Sequence, residues 1–270
     1  MSERQNNEQY ENLLNQLYAT DPLIAGVLAR AQRNRFQRLS QYSSGARFKG
    51  PEELLRLLGT IETSFKLDSR LSNLTFLVAR ARADFETSIE ATLCGLHGIV
   101  GDSMRDVMEI EFLFREFHHD PSSRSEWLVA DQKTLRNKYR PAVLREKHAK
   151  RLQVRQEDLA EAADYKGHSM ALHVLPRQFL LGGRGFAEES LPFESDFGFW
   201  EIFEHARRLV LTLDAFIGKT APQAVTWLEL EKELPLFGEA YERAMEMQSI
   251  FQGLVEAAIK ETKTERLEES

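Results

Sequence analysis

One cysteine, Cys94, stands among 270 residues, so the chain can form no internal disulfide and no cysteine-based zinc site. Glycine (15) and proline (8) are sparse for this length. Sandwiches and barrels consume those residues in turns, so an all-β fold is not expected. No run reaches the roughly 18 apolar residues of a membrane-spanning helix. The nearest, Leu209 to Ile217, is short and holds Asp214. Met1 to Glu11 is polar and lacks the apolar centre of a signal peptide. These absences set the expectation of a cytoplasmic protein with no membrane partner. Positive charge is also not in excess: 35 Lys and Arg face 42 Asp and Glu, for a net charge of −7. A uniformly basic nucleic-acid surface is therefore excluded.

What the chain does have is helical periodicity. Hydrophobic residues make up 42% and charged residues 29%, an ordinary globular balance, and 17 Phe and 3 Trp supply core volume. Asp21-Pro22 reads as an N-cap followed by Pro at the first helical position. That helix is expected to run to about Leu39, with a loop over Ser40–Gly50 and a short helix opening at Pro51-Glu52-Glu53. From Ser72, the residues Leu74, Val78, Ala81, Phe85, Ile89, Leu93 and Leu96 form one apolar stripe of a long helix. A second helix is expected from about Asp102 to His119, where Asp120-Pro121 stops it. Residues 120–192 are less regular, with short helices expected at Pro141–Leu152 and Gln156–Asp164. Phe199, Phe203, Ala206, Val210, Leu213 and Ile217 share a face, and Phe237 to Ala258 reads as a long amphipathic C-terminal helix. No stretch alternates with period two for long. The expectation is an all-α bundle of long amphipathic helices with smaller peripheral ones. An N-terminal helical arm (1–60) would precede a main bundle (61–270).

Charge is locally segregated within this frame. Residues 30–49 carry Arg30, Arg33, Arg35, Arg38, Arg47 and Lys49 without an acid. Residues 133–155 include Arg136, Lys138, Arg140, Arg145 and Lys147, with Glu146 the one acid. Such stretches can hold phosphates, or simply face water balanced by the acidic C-terminal part.

Familiar catalytic strings fail on context. Gly218-Lys219-Thr220 lacks the upstream glycine of a phosphate-binding loop, since position 213 is Leu213. Gly167-His168-Ser169-Met170-Ala171 resembles a nucleophile elbow but follows a polar, helix-patterned stretch rather than a strand. No motif calls for a cofactor. Glu116 and His119 form a Glu-x-x-His pair of the kind used in dimetal bundles, but no second such pair exists. They remain a minor alternative as metal ligands.

Two constellations carry more. Arg105, Glu109, Phe112, Glu116 and His119 fall on one stripe of the 102–119 helix. Its remaining circumference is largely apolar, so Arg105 and Glu109, one turn apart, are expected to pair in a cleft or in water. Tyr165, Ser169 and His173 lie at i, i+4 and i+8, on one face of a further helix. Together, Arg-x-x-x-Glu on a central helix followed by Tyr-x-x-x-Ser-x-x-x-His resembles a loose group of bacterial helical proteins placed near the HEPN-type domains. The resemblance spans about residues 72–175. Arg115 departs from that class's arginine–histidine signature, lying closer to His118 and His119 than the class spacing.

The resemblance implies a homodimeric helical bundle and a metal-independent ribonuclease, or nuclease-like effector, of bacterial defence or toxin type. Arg105, Glu109, Ser169 and His173 would form the catalytic set, and Arg136, Lys138, Arg140, Arg145 and Lys147 would bind RNA. The alternative from residues alone is a non-enzymatic helical regulator or scaffold that acts through protein contacts.

Overall fold

A computed structural model describes residues 3–42, 48–159, 161–162, 165 and 192–220. Ser169, His173 and the expected helix at 237–258 lie outside the described residues. The described chain is all-α: α1 Glu3–Thr20, α2 Pro22–Tyr42, α3 Lys49–Leu67, α4 Thr75–Cys94, α5 His97–His119, α6 Pro121–Val129, α7 Gln132–Thr134, α8 Pro141–Leu152 and α9 Pro192–Thr220. Three-residue 3₁₀ turns stand at Ser72–Leu74 and Gln156–Asp158, and a π-helical turn at Leu135–Tyr139 joins α7 to α8. No described helix is long and apolar enough to cross a membrane.

The bundle is organised around α5, which packs on α4 and α9 along one side and on α6 and α8 along another. Its main core joins Phe65 of α3, Phe85 of α4, Phe114 and Phe117 of α5, and Phe216 of α9. Phe114 sits at the centre, with ring centroids 6.1 Å from Phe65 and 5.2 Å from Phe216. A second, smaller cluster of Met108, Phe112, Tyr139 and Leu144 lies between α5 and the segment leading into α8. Two cores on two sides explain why α5 is apolar over most of its circumference.

Several elements exceed their expected lengths. α3 is no short peripheral helix: Leu54, Leu58, Ile61 and Phe65 are fully buried in the main core, and the helix runs across position 60. α5 begins at His97, ahead of Asp102, because the glycines of its first turns are tolerated where Val100 and Met104 are buried. Asp120 both ends α5 and starts α6, accepting from the Ser122 N–H at 3.1 Å, with Pro121 next to it in the first turn.

The α4–α5 turn is where α2 is anchored. Gly95 adopts φ 77°, a left-handed C′ position closed by Leu96 N–H donating to Ala91 O at 2.7 Å. The last carbonyls of α4 accept from α2 side chains: Asn34 Nδ2 donates to Cys94 O (3.1 Å) and Arg38 Nη1 to Leu93 O (3.3 Å). A guanidinium there also meets the negative end of the helix dipole, and Arg38 is only 1% exposed. Elsewhere α2 keeps apolar side chains outside, with Leu23 85% and Phe36 72% exposed.

Two glycine substitutions test this packing. Gly95→Ala places a Cβ in a left-handed conformation and 3.1 Å from Arg38 Nη2. It is expected to lower the unfolding free energy by about 1–2 kcal/mol in urea titration. Gly198→Ala would set a Cβ 2.6 Å from Thr92 Oγ1 and push α9 off α4. A loss of about 1–3 kcal/mol is expected there.

Candidate functional site around Arg105, Glu109 and Tyr165

Arg105 and Glu109 stand one turn apart on α5 with Nε and Oε1 3.5 Å apart. The distant Tyr165 closes the group. Its hydroxyl accepts from Arg105 Nε at 3.1 Å, across 60 positions of sequence, and donates to Glu109 Oε1 at 3.0 Å, across 56. Burial pushes the Tyr165 hydroxyl above its ordinary range; the Arg105 hydrogen bond opposes that and Glu109 adds to it. The phenol therefore stays protonated at neutral pH and keeps both bonds. Arg105 and Glu109 are each about one-third exposed, so the pair is neither dry nor free in water.

The ring of Tyr165 carries a second cation. The Arg145 guanidinium lies 4.1 Å from its centroid and 5.8 Å from that of Phe112. Burial pulls the Arg145 guanidinium below its ordinary range, partly offset by Tyr165 and the charges of Glu109 and Glu161. Arg145 is thus a wall of the site rather than a free surface cation.

An open groove of about 330 Å³ adjoins Arg105 and Glu109, lined also by Asp84, Asp102, Ser103 and Asp106. Two of its acids are paired: Asp106 accepts from Arg80 Nε at 2.5 Å and Glu109 faces Arg105. Asp84 is held differently. Burial, and then the neighbouring charge of Asp106, push its carboxyl up to about 7, against the pull of Arg80.

Behind the site, a chain of ion pairs joins α5 to α9 and to Glu161, four positions before Tyr165. Glu111 on α5 is 1% exposed and pairs with Arg115 one turn on and with Arg208 of α9 at 3.0 Å. Arg115 also holds Glu161, which faces His148 Nε2 at 3.5 Å. Burial, then the charge of Arg115, hold His148 down to about 4, so it is neutral at pH 7. Sequence reading missed Glu111, Arg115, Glu161 and Arg208 as a set. The available signal was the register of Val107, Glu111 and Phe114, an acid spaced on the core stripe.

The remaining candidates fall in other places. Glu116 is buried and bound by Lys147 at 2.7 Å and Arg151 at 2.6 Å. These cations hold its carboxyl low against the opposing effect of burial. Among the described residues, no group of three or more His, Cys, Asp or Glu stands where it could hold a metal ion. Lys147 is thereby committed to an α5 carboxylate, and Lys138 pairs with Glu126 of α6. Arg136 and Arg140 point outward from the π-helical turn and the start of α8. No known protein family, curated protein or solved structure matches this chain.

Asp84 provides a pH test. A carboxyl raised from 3.8 to about 7 in the fold binds its proton more tightly folded than unfolded. Its ionised form therefore costs stability, a penalty that grows as pH rises from about 4 to about 7 and is full above that. Asp84→Asn is expected to unfold at higher temperature than the parent protein at pH 8 and to show no such gain at pH 4.

Proposed function

We propose that the protein acts on RNA, as a helical effector of the HEPN-like type with metal-independent ribonuclease chemistry. The observation that carries this reading is the meeting of Arg105, Glu109 and Tyr165, separated by 56 and 60 positions, in one hydrogen-bonded group at a groove. Three of the five residues of the resemblance thereby sit together. Tyr165 opens the Tyr-x-x-x-Ser-x-x-x-His string that continues to Ser169 and His173.

In this reading His173 takes the proton of a ribose 2′-hydroxyl as the 2′-oxygen bonds to phosphorus, and a proton is returned to the departing 5′-oxygen. Arg105 stabilises the charge that builds on the phosphoryl oxygens, and Glu109 with Tyr165 holds the guanidinium in place. Ser169, four positions before His173 in sequence, would bond a phosphate or ribose oxygen. Of the basic stretch, Arg136 and Arg140 are exposed and supply positive charge for the RNA backbone, while Lys138, Arg145 and Lys147 are engaged with Glu126, Tyr165 and Glu116.

The test is incubation of the purified protein with mixed RNA, with and without EDTA, beside His173→Ala and Arg105→Ala. Cleavage that survives EDTA and falls at least a hundredfold in both variants is expected. Absence of cleavage under every condition, or cleavage abolished by EDTA, contradicts the metal-independent nuclease reading.

One observation favours a second reading, a non-enzymatic protein that works through contacts, self-association included. α2 leaves Leu23, Ile24, Leu28 and Phe36 exposed along with α1 residues Tyr10 and Leu13. Light scattering should then report a dimer that Ile24→Glu with Leu28→Glu converts to monomer; a monomeric parent protein contradicts it.

A further inference from the structure

Phe76, in the first turn of α4, is 52% exposed. Its ring lies parallel to Trp127 of α6, with an interplanar angle of 6° and centroids 5.9 Å apart. Trp127 is itself fixed from behind by Phe117, 5.6 Å away. Part of one face of Phe76 thus lies against the indole while half of the residue stays open to solvent.

The surroundings of this aromatic step are basic. Arg124, one turn before Trp127 on α6, donates through Nη1 to Arg70 O at 3.0 Å, a neutral acceptor, so its charge is not cancelled there. The π-helical turn lies against the same helix: Tyr139 donates to Ser123 O at 2.9 Å, and Lys138 pairs with Glu126. Arg136 in that turn, Lys133 before it and Arg140 after it are exposed, and none of the three forms an ion pair among the described residues, although the charge of Arg140 reaches Glu146. The nearby acids are engaged in hydrogen bonds that keep them ionised, and of them Glu126 alone forms an ion pair with a cation among the described residues. Asp120 caps α6, Asp131 caps α7 by accepting from Thr134 N–H, and Glu126 serves Lys138 and Tyr139. On α4, Arg80 stands one turn beyond Phe76 and reaches Asp106 at the lip of the Arg105 groove.

We propose that Phe76 and Trp127 form a stacking platform for an unpaired base of single-stranded RNA, with Arg124, Arg136 and Arg140 taking the adjoining phosphates. An open aromatic face recognises the π-face that every base carries and that a duplex hides. The cations without acid partners match the charge of a phosphodiester chain. The proposal rests on the RNA reading above and deepens it by naming the strand form of the ligand.

The experiment is fluorescence anisotropy of the full-length protein with three labelled probes: oligouridine, the same backbone with abasic riboses, and duplex RNA. Parent protein, Phe76→Ala and Phe76→Tyr are compared, with thermal unfolding as the control for folding of a half-exposed position. Oligouridine is expected to bind more tightly than either other probe to the parent protein. Phe76→Ala should weaken oligouridine about tenfold and leave the abasic chain unchanged, while Phe76→Tyr stays within about twofold of the parent. Arg136→Ala should instead weaken all three probes and flatten the salt dependence. Oligouridine affinity unchanged in Phe76→Ala, or an equal loss on the abasic chain, overturns the platform and leaves the RNA reading standing. Binding of no probe by the parent protein overturns both.

Discussion

One buried carboxylate, Glu111 at the core of the bundle, constrains much of this molecule. Glu111 sits on the core side of the central helix at 1% exposure, where an unpaired charge would be intolerable. It is accommodated by two guanidiniums from different parts of the chain, Arg115 on its own helix and Arg208 on α9. The apolar contacts of Phe114 and Phe216 bring α5 and α9 together, but such packing tolerates sliding. A buried ion pair does not, because a shifted partner leaves a charge without compensation. Glu111 thus sets the register of α9 against α5.

Arg115 extends that constraint outward. Its other carboxylate, Glu161, lies just before Tyr165, and the hydroxyl of Tyr165 joins Arg105 to Glu109. Core packing, a buried charge and a half-exposed polar group are therefore links in one chain along α5. The helix serves three purposes at different angles around its axis: core on one side, ion pairs behind the site, and the Arg105–Glu109 pair at the groove. The aromatic step of Phe76 and Trp127 is attached to the same frame through Phe117.

Much of the architecture was legible in the sequence because hydrophobic spacing is local information. The Leu74–Leu96 stripe, the Asp120-Pro121 stop and the Pro141–Leu152 helix all rest on near neighbours, and each is found close to its expected bounds. α3 was underestimated because its leucines face the core of distant helices, and length cannot be judged from its opening Pro51 alone. The site was half legible. Arg105 with Glu109 is an i,i+4 pair, visible on a helical wheel. That Tyr165 would seal it rests on contacts 56 and 60 positions apart, beside an Arg115–Glu161 pair 46 positions apart, none of which periodicity encodes. Basic residues misled for the converse reason: Arg145 and Lys147 look like surface charge in sequence, yet one stacks on Tyr165 and the other binds Glu116.

The central claim is that the Glu161 ion pair delivers Tyr165 to its partners. A double-mutant cycle in urea unfolding tests it, using Tyr165→Phe and Glu161→Ala singly and combined. Removing the hydroxyl should lower stability by about 0.5–1.5 kcal/mol in the parent protein and by much less when Glu161 is absent. The coupling energy is then at least about 0.5 kcal/mol. Effects that simply add would mean that Tyr165 finds Arg105 and Glu109 without the buried charges, and the account would be wrong.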